Sequence, residues 1–584
     1  MSTLFLTPRD RYPSDSKAPQ ACGSCKRQKR KCDKALPACG LCTRMERRCD
    51  YVESAQSAPT ADDFAALQLR LAELEGRIND NGTGLSGGGG GLADSSGPSP
   101  GSDPSASGPS INDDSPAYPA VEPLWEQQTA SQFPPDVFLD MATYEMLNQP
   151  VPKPFIEVPA EVLQHLGDGT SVQSSIATYF TTIHPWLPIV SKKRMNMGVA
   201  LSQGGPDLAM LFLAMKLMTT HPEPDSNMPV AGMPLYRAAK RFMSLLENGG
   251  ATSLMALQSM LLIAHFEYAH GIYPAAWITA GSCVRYADFL GLPTFQEGNL
   301  LLSSPTTWTE LEERKRTWWA ILILDRFICI GNKKRYLSPD PAENETLPAD
   351  DEAWDQGRVD RAVHHAISSP APSPPTSPFP TLCRCALLTA QVLTHVRSRN
   401  PPIPDAASLS EALTAALASL PSDLPYLAPR CVLLSSAILL YDFYCCPATP
   451  TGRIRTPDET QQQLHAVEGI RRLSGDIADL ARDLLLLAAS IEDGKKGGGG
   501  GESRDIGVIS PLALDALYGA ANTLAWLVRE EGSAECEEAV AVIKQCLVKL
   551  GGRWRLAGEY LRMLGEQAFA YDMQEQGHST IRIR

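Results

Sequence analysis

Histidine is absent from the first 164 residues of this 584-residue chain, the first of its ten being His165. Any metal bound near the N-terminus must therefore take other ligands. No stretch reaches the roughly 20 apolar residues that a membrane helix needs. The richest run, Trp318 to Ile330, is broken by Asp325 and Arg326. At the N-terminus Leu4-Phe5-Leu6 gives way to Pro8, Arg9 and Asp10, which excludes the apolar core of a secretory signal. An intracellular setting is thus expected, with no membrane partner and with the fifteen cysteines held as thiols. Convincing strand alternation is also scarce. Neither glycine run is followed by the Lys-Ser/Thr of a phosphate loop.

Acidic residues outnumber basic ones and the chain carries a net charge of −14. That average hides a reversal. Between Cys22 and Cys49 there are nine Lys/Arg against two Asp/Glu, a net of +7, so the remainder carries −21. Such asymmetry implies one basic module that meets a polyanion, joined to an acidic body with another task. The length requires more than one core.

Composition divides the chain further. Residues 1–21 read as a disordered leader, 22–52 as a cysteine module, 53–63 as a tether and 64–80 as a helical element. Residues 81–135, rich in Gly, Ser, Pro and Asp, read as a disordered linker. Helical signals then dominate. Pro234 and Pro274 open helical patterns that Gly249 and Gly291 close, and Leu254–His270, apolar on most faces, reads as a central helix. The body is expected as an all-α first block, 136–366, a Ser/Pro linker, 367–380, and an all-α second block, 381–584, with 492–506 disordered.

The cysteines are spaced Cys22-x2-Cys25-x6-Cys32-x6-Cys39-x2-Cys42-x6-Cys49. CGSCKRQKRKC and CGLCTRMERRC repeat with six of eleven positions identical. A tetrahedral zinc takes four ligands, and three per half is one short. Six thiolates supply eight contacts to two zincs only if two of them bridge. The arithmetic favours one binuclear thiolate cluster. A cysteine-rich tail, or a zinc module for protein contacts, stays the bland alternative.

This pattern resembles the fungal binuclear zinc-cluster transcription factors without gaps from Cys22 to Tyr51. The resemblance implies two Zn2+ per chain, with Cys22 and Cys39 bridging and Cys25, Cys32, Cys42 and Cys49 terminal. Pro37 and Asp33 match the family's loop proline and the acidic residue after the third cysteine. It also implies a nuclear protein that binds double-stranded DNA through its first short helix, reading CGG-type half-sites. The insert Lys26-Arg27-Gln28-Lys29-Arg30-Lys31 carries five cations, more than a cluster of charge −2 requires, and suits phosphates. Lys29 corresponds to Glu46 in the second half, so the first half faces DNA. The resemblance makes Lys29 the guanine reader, while Gln28 replaces the usual basic residue.

Phe64, Leu67, Leu71, Leu74 and Ile78 alternate spacings of three and four, the seam of a coiled coil that would make a homodimer. Arg70 and Glu75 would face one another across a parallel interface. Leu69 on an outer position and Gly76 argue for the alternative, an amphipathic helix docked on the body.

Further on, Tyr179–Ile189, Trp277–Leu292, Glu313–Arg326 and Leu347–Asp351 resemble the helical regulatory domain that accompanies this cluster in fungi. The fold expected is a small zinc-stabilised module plus a short coiled coil, followed by a large all-α regulatory region. Asp325 and Arg326 are expected to pair internally. Catalysis is not expected: His265 and His270, five apart, do not share a helix face, and Cys383-x-Cys385, Cys445-Cys446 and His364-His365 lack ligand spacing. The function expected is regulation of RNA polymerase II genes, as an activator by family preference. The alternative is a zinc-stabilised adaptor or a repressor. The body would contact transcription machinery or an unidentified small-molecule effector, and the acidic and aromatic stretch Asp113–Met146 suits an activation segment or a plain linker.

Overall fold

The computed structural model describes residues 21–49 other than Gln28, Lys29, Leu36, Pro37, Glu46 and Arg48. It then describes 133–581, apart from segments at 148–155, 197–204, 223–228, 294–300, 446–455 and 497–504 and a few shorter breaks. The seam Phe64, Leu67, Leu71, Leu74 and Ile78 lies outside the described residues, as do the tether and most of the linker. The chain divides into two units, within 1–117 and 118–584.

In the first unit two five-residue helices, α1 (Gly23–Arg27) and α2 (Gly40–Arg44), carry the two CxxC pairs. Their burial is confined to cysteine: Cys22, Cys25, Cys39 and Cys42 form the whole buried cluster. Four thiols are too little apolar surface to hold a fold, so metal must supply the stability.

The second unit is helical, and no named strand occurs among the described residues. Its first half contains α3 (Gly169–Thr182), α4 (Pro206–Thr219), α5 (Pro234–Asn248), α6 (Leu254–Ala269), α7 (Ala275–Phe289) and α8 (Trp308–Phe327). Its second half contains α9 (Pro378–Arg397), α10 (Ile403–Ser419), α11 (Leu427–Cys445), α12 (Pro457–Lys496), α13 (Ala513–Glu531), α14 (Ala534–Gly551) and α15 (Leu556–Ile581). α6 lies at the centre, packed on α4 and α7, with every residue from Ala256 to Ala269 buried. Its start is fixed by Ser253, whose hydroxyl accepts from the Ala256 amide at 3.1 Å. Pro234 occupies the first turn of α5 and Gly249 follows its end, the asymmetry that the sequence predicts.

The buried core does not stop at the Ser/Pro segment. One apolar cluster runs from Val162 to Leu564 and takes in α4, α6, α8, α9, α11 and α13. α9 opens at Pro378, inside the stretch read as linker 367–380, and Ser377 just before it donates to Asp351 at 2.6 Å. Likewise α12 continues to Lys496, inside the expected disorder of 492–506, while Asp505 pairs with His221 at 2.8 Å. In both places described residues held by tertiary contacts extend into stretches whose Pro, Ser and Gly composition suggested a break.

Asp325 and Arg326 of α8 are held by loops rather than by each other. Asp325 accepts the Leu337 and Ser338 amides at 2.8 and 2.7 Å, and Arg326 pairs with Asp340 at 2.6 Å. Adjacent helix residues do not face one another, so each takes a partner from the loop. Arg316 is wholly buried between Glu312 (3.2 Å) and Asp351 (2.6 Å), donates to the Ala349 carbonyl at 2.6 Å, and lies over the Trp354 ring.

The segment Leu424–Cys445 is long and apolar enough to cross a membrane by composition, which amends the expectation that no stretch is. Two thirds of its most apolar window is buried inside the helical core (67%). The described residues of Asp113–Met146 include most of two short helices, Asp136–Leu139 and Met141–Leu147, and Phe138 stacks on Phe289 of α7 with centroids 5.5 Å apart.

Candidate metal centre and nucleic-acid interface

The sequence repeat is a structural repeat. Lys26 and Thr43 donate backbone N–H groups to the Cys22 and Cys39 carbonyls at 3.0 Å, and Arg30 and Arg47 do the same to Cys25 and Cys42. Each half is thus a single turn that starts on its first cysteine and presents the second on the same side. Cys22 Sγ accepts from the Cys25 amide at 3.5 Å, and Cys39 Sγ from the Cys42 amide at 3.4 Å. These amides hold the Cys22 and Cys39 thiols below their ordinary range, while burial pushes Cys25 up to about 12. Metal uptake must therefore release protons.

Two groups of four sulfurs result. Cys22, Cys25, Cys32 and Cys39 lie within 4.8 Å of one another, and so do Cys22, Cys39, Cys42 and Cys49. Cys22 and Cys39 belong to both groups. The Cys22–Cys39, Cys22–Cys42 and Cys25–Cys39 sulfur separations are 3.7, 3.6 and 3.7 Å. A Zn–S bond of about 2.3 Å in tetrahedral geometry sets sulfurs about 3.8 Å apart, so the donor set fits zinc. Two tetrahedra sharing one edge use six thiolates for eight contacts.

Around this core Lys26, Arg30 and Lys31 are exposed, as are Arg44 and Arg47 of the second half. Arg27 closes α1, while Gln28 and Lys29 lie outside the described residues. The connection between halves is fastened by Asp33, whose carboxylate accepts from the Ala35 and Gly40 amides. The acidic residue was legible by resemblance, but its partner was not.

Elsewhere the apparent ligand motifs dissolve. His265 donates within its own helix to the Leu261 carbonyl (2.9 Å), and Glu267 accepts from Tyr236 (2.7 Å) and pairs with Lys240 (2.9 Å). Cys383, Cys385 and Cys445 are buried among apolar side chains. Among the described residues, every group with metal-binding geometry lies in the N-terminal cluster.

Comparison with known proteins agrees with this geometry. Residues 20–58 match the fungal Zn(2)-Cys(6) binuclear cluster domain, which binds two zinc ions, and residues 176–395 match the fungal specific transcription factor domain. The chain is 38% identical over 159 residues to transcription factor BOA15 of Botryotinia fuckeliana, covering 27% of this chain and 85% of that protein. It is 26% identical over 190 residues to the pigment biosynthesis transcriptional activator pigB of Monascus ruber, covering 31% of this chain and 34% of the other. With the azaphilone cluster-specific transcription factor azaR of Aspergillus niger it shares 23% over 256 residues, covering 42% and 52%. These relatives are regulators rather than enzymes. The chain belongs to the fungal Zn(2)-Cys(6) binuclear-cluster transcription factors, and it is a zinc-dependent DNA-binding regulator of transcription.

Proposed function

We propose that this protein activates a set of biosynthetic genes in the nucleus by binding, as a homodimer, to paired CGG-type half-sites. The observation that carries the reading is the pair Cys22 and Cys39, common to both four-sulfur groups, which would close the shell of each zinc without drawing on the basic residues between them. Cys22 and Cys39 bridge, while Cys25, Cys32, Cys42 and Cys49 are terminal. Lys29 reads guanine, and Lys26, Arg27, Gln28, Arg30 and Lys31 contact the backbone or base edges around it. The seam Phe64, Leu67, Leu71, Leu74 and Ile78 pairs two copies. The biosynthetic assignment rests on relatives named for pigment and azaphilone clusters.

The acidic helical body, 136–366 and 381–584, governs when the head acts and contacts the transcription machinery. The long linker lets head and body separate or dock, which favours masking of the activating segment over continuous activity.

Selection of duplexes from a random pool by the purified full-length protein tests the core of this reading. Enrichment of two CGG triplets at fixed spacing is expected, with Leu71→Asp plus Leu74→Asp collapsing it to single triplets. An enriched motif without CGG, or none at all, would reject the assignment.

A further inference from the structure

Ile278, Ser282, Arg285 and Phe289 of α7 recur at steps of four, three and four. At about 100° per residue, Phe289 comes back to within about 20° of Ile278, so the four form one stripe along the helix. At the C-terminal end this stripe is covered by a remote part of the chain. Phe138 stacks on Phe289 with centroids 5.5 Å apart, and Phe133 packs against the same ring at 5.6 Å. Val137 and Tyr144, from the same stretch, are buried, so it is seated on the helical unit.

At the other end the stripe is bare. Ile278 and Leu337 are each 56% exposed. Leu337 reaches α7 from the loop after α8, where its Cδ1 would lie 3.2 Å from a Cβ on Gly281. Beside Ile278, the Trp277 ring lies under the Lys334 ammonium, 4.4 Å from its centroid. Arg335 and Arg285 are exposed as well, and Asp288 takes up part of the Arg285 charge at 3.3 Å. An apolar patch edged by cations is uncommon in a body that is acidic overall, and such patches mark interaction sites.

The chain that ends on Phe289 supplies an occupant. Residues 118–132 directly precede Phe133 and lie outside the described residues. They carry Tyr118, Val121, Leu124 and Trp125 together with Glu122 and Glu126, and no Lys or Arg. At about 1.5 Å per residue, Ile278 lies about 17 Å from Phe289 along α7. Seven extended residues span about 23 Å, so the stretch back from Phe133 to Glu126 covers that distance.

We propose that residues 118–132 dock along α7 in the direction of the helix, with Leu124 and Trp125 on Ile278 and Leu337 and with Glu122 and Glu126 towards Lys334 and Arg335. Burial of the apolar side chains supplies most of the attraction, and the exposed charges set the register more than the strength. The anchor at Phe133 makes the event intramolecular, which raises the effective concentration of the segment. Its regulatory meaning rests on the reading of Asp113–Met146 as the activating segment: docked on α7, Leu124 and Trp125 are withheld from other partners.

The test is photo-cross-linking in the full-length, zinc-loaded protein carrying Gln127→p-benzoylphenylalanine. Irradiation should join position 127 to α7 or to the Lys334–Leu337 loop of the same chain, at a yield independent of protein concentration. Ile278→Asp with Leu337→Asp should lower that yield by about fivefold or more, and because both positions are exposed the melting temperature should be kept. Leu124→Ser with Trp125→Ser, which leaves α7 as it is, should lower it equally. No cross-link to this face, cross-links only between chains, or equal yields from the parent and both variants would overturn the proposal. The cross-link reads docking without reference to transcription. If it forms while both variants leave reporter output at the parent level, the docking stands and the activating role of the stretch falls.

Discussion

The Asp33 carboxylate accepts from the Gly40 amide through both oxygens, at 3.1 and 2.9 Å, and so fastens the connection between the two cysteine halves to the first turn of α2. An anion at a helix start also suits the exposed N–H groups there. The same contact leaves no space on Gly40, where a Cβ would sit 2.7 Å from Asp33 Oδ2.

Asp33→Ala is expected to loosen the cluster by about 1 kcal/mol, the usual net worth of an exposed hydrogen bond. Gly40→Ala should loosen it too, by pushing the carboxylate away. Because both act through one contact, the double variant should cost less than the sum. Zinc release to a competing chelator measures all three, and strict additivity would show that the contact does not hold the cluster together.

Bridging and terminal thiolates should fail differently. Cys22→Ala or Cys39→Ala removes a ligand from both four-sulfur groups and should leave the cluster module unfolded. Cys32→Ala or Cys49→Ala removes a ligand from one group, so one zinc should be retained more tightly than the other. Native mass spectrometry of the full chain counts the metals. Identical loss from all four variants would contradict the shared edge.

Much of this site was legible because its information is local. Cysteine spacing, the repeat and the ends of α5 depend on residues a few positions apart, as the Pro234 start and the Gly249 terminus show. Arg316 shows where such reading stops. In sequence it belongs to the charged run Glu313-Arg314-Lys315-Arg316, yet it is fully buried, because Ala349 and Asp351 arrive from a distant loop to receive it. The 40-residue α12 is punctuated at its start, where Thr456, just ahead of Pro457, exchanges hydrogen bonds with Glu459, but its reach to Lys496 follows from packing on α11, α13 and α14.

Breaking the Arg316 contacts should therefore be severe. Arg316→Met keeps the length but leaves Glu312, 1% exposed, without its cation. Loss of one partner of a buried pair typically costs about 3–5 kcal/mol. Urea unfolding of the helical unit, followed by tryptophan fluorescence, should show a matching fall. A change below about 1 kcal/mol would mean that the pair only breaks even against an apolar substitute.

On DNA, Lys29 and Arg30 should separate specificity from affinity. Lys29→Ala should cost about 1–3 kcal/mol and relax preference at one base position. Arg30→Ala, at an exposed position, should weaken all sequences alike and flatten the dependence on salt. Salt titrations on matched and mismatched duplexes distinguish the two. If Lys29→Ala left preference intact, the reading face would lie elsewhere.

Acid should destabilise the helical unit through His265. Its ring is wholly buried, and because Nδ1 meets the Leu261 carbonyl, that nitrogen carries a hydrogen, while burial keeps the ring neutral near pH 7. Burial lowers its pKa to about 4, against roughly 6.5 for the unfolded chain. As pH falls, the unfolded chain takes up the proton first. Stability from the neutral ring is complete above about pH 6.5, declines between about 6.5 and 4, and falls no further once both states are protonated. By pH 5 the loss reaches about 2 kcal/mol. His270 is displaced in the same direction and should add to it. His265→Gln keeps a donor for Leu261 but cannot titrate, so its unfolding free energy should fall less between pH 7.5 and pH 5, by about 1–2 kcal/mol. Equal acid losses in the parent and the variant would show that the ring takes up its proton without unfolding the helices around it.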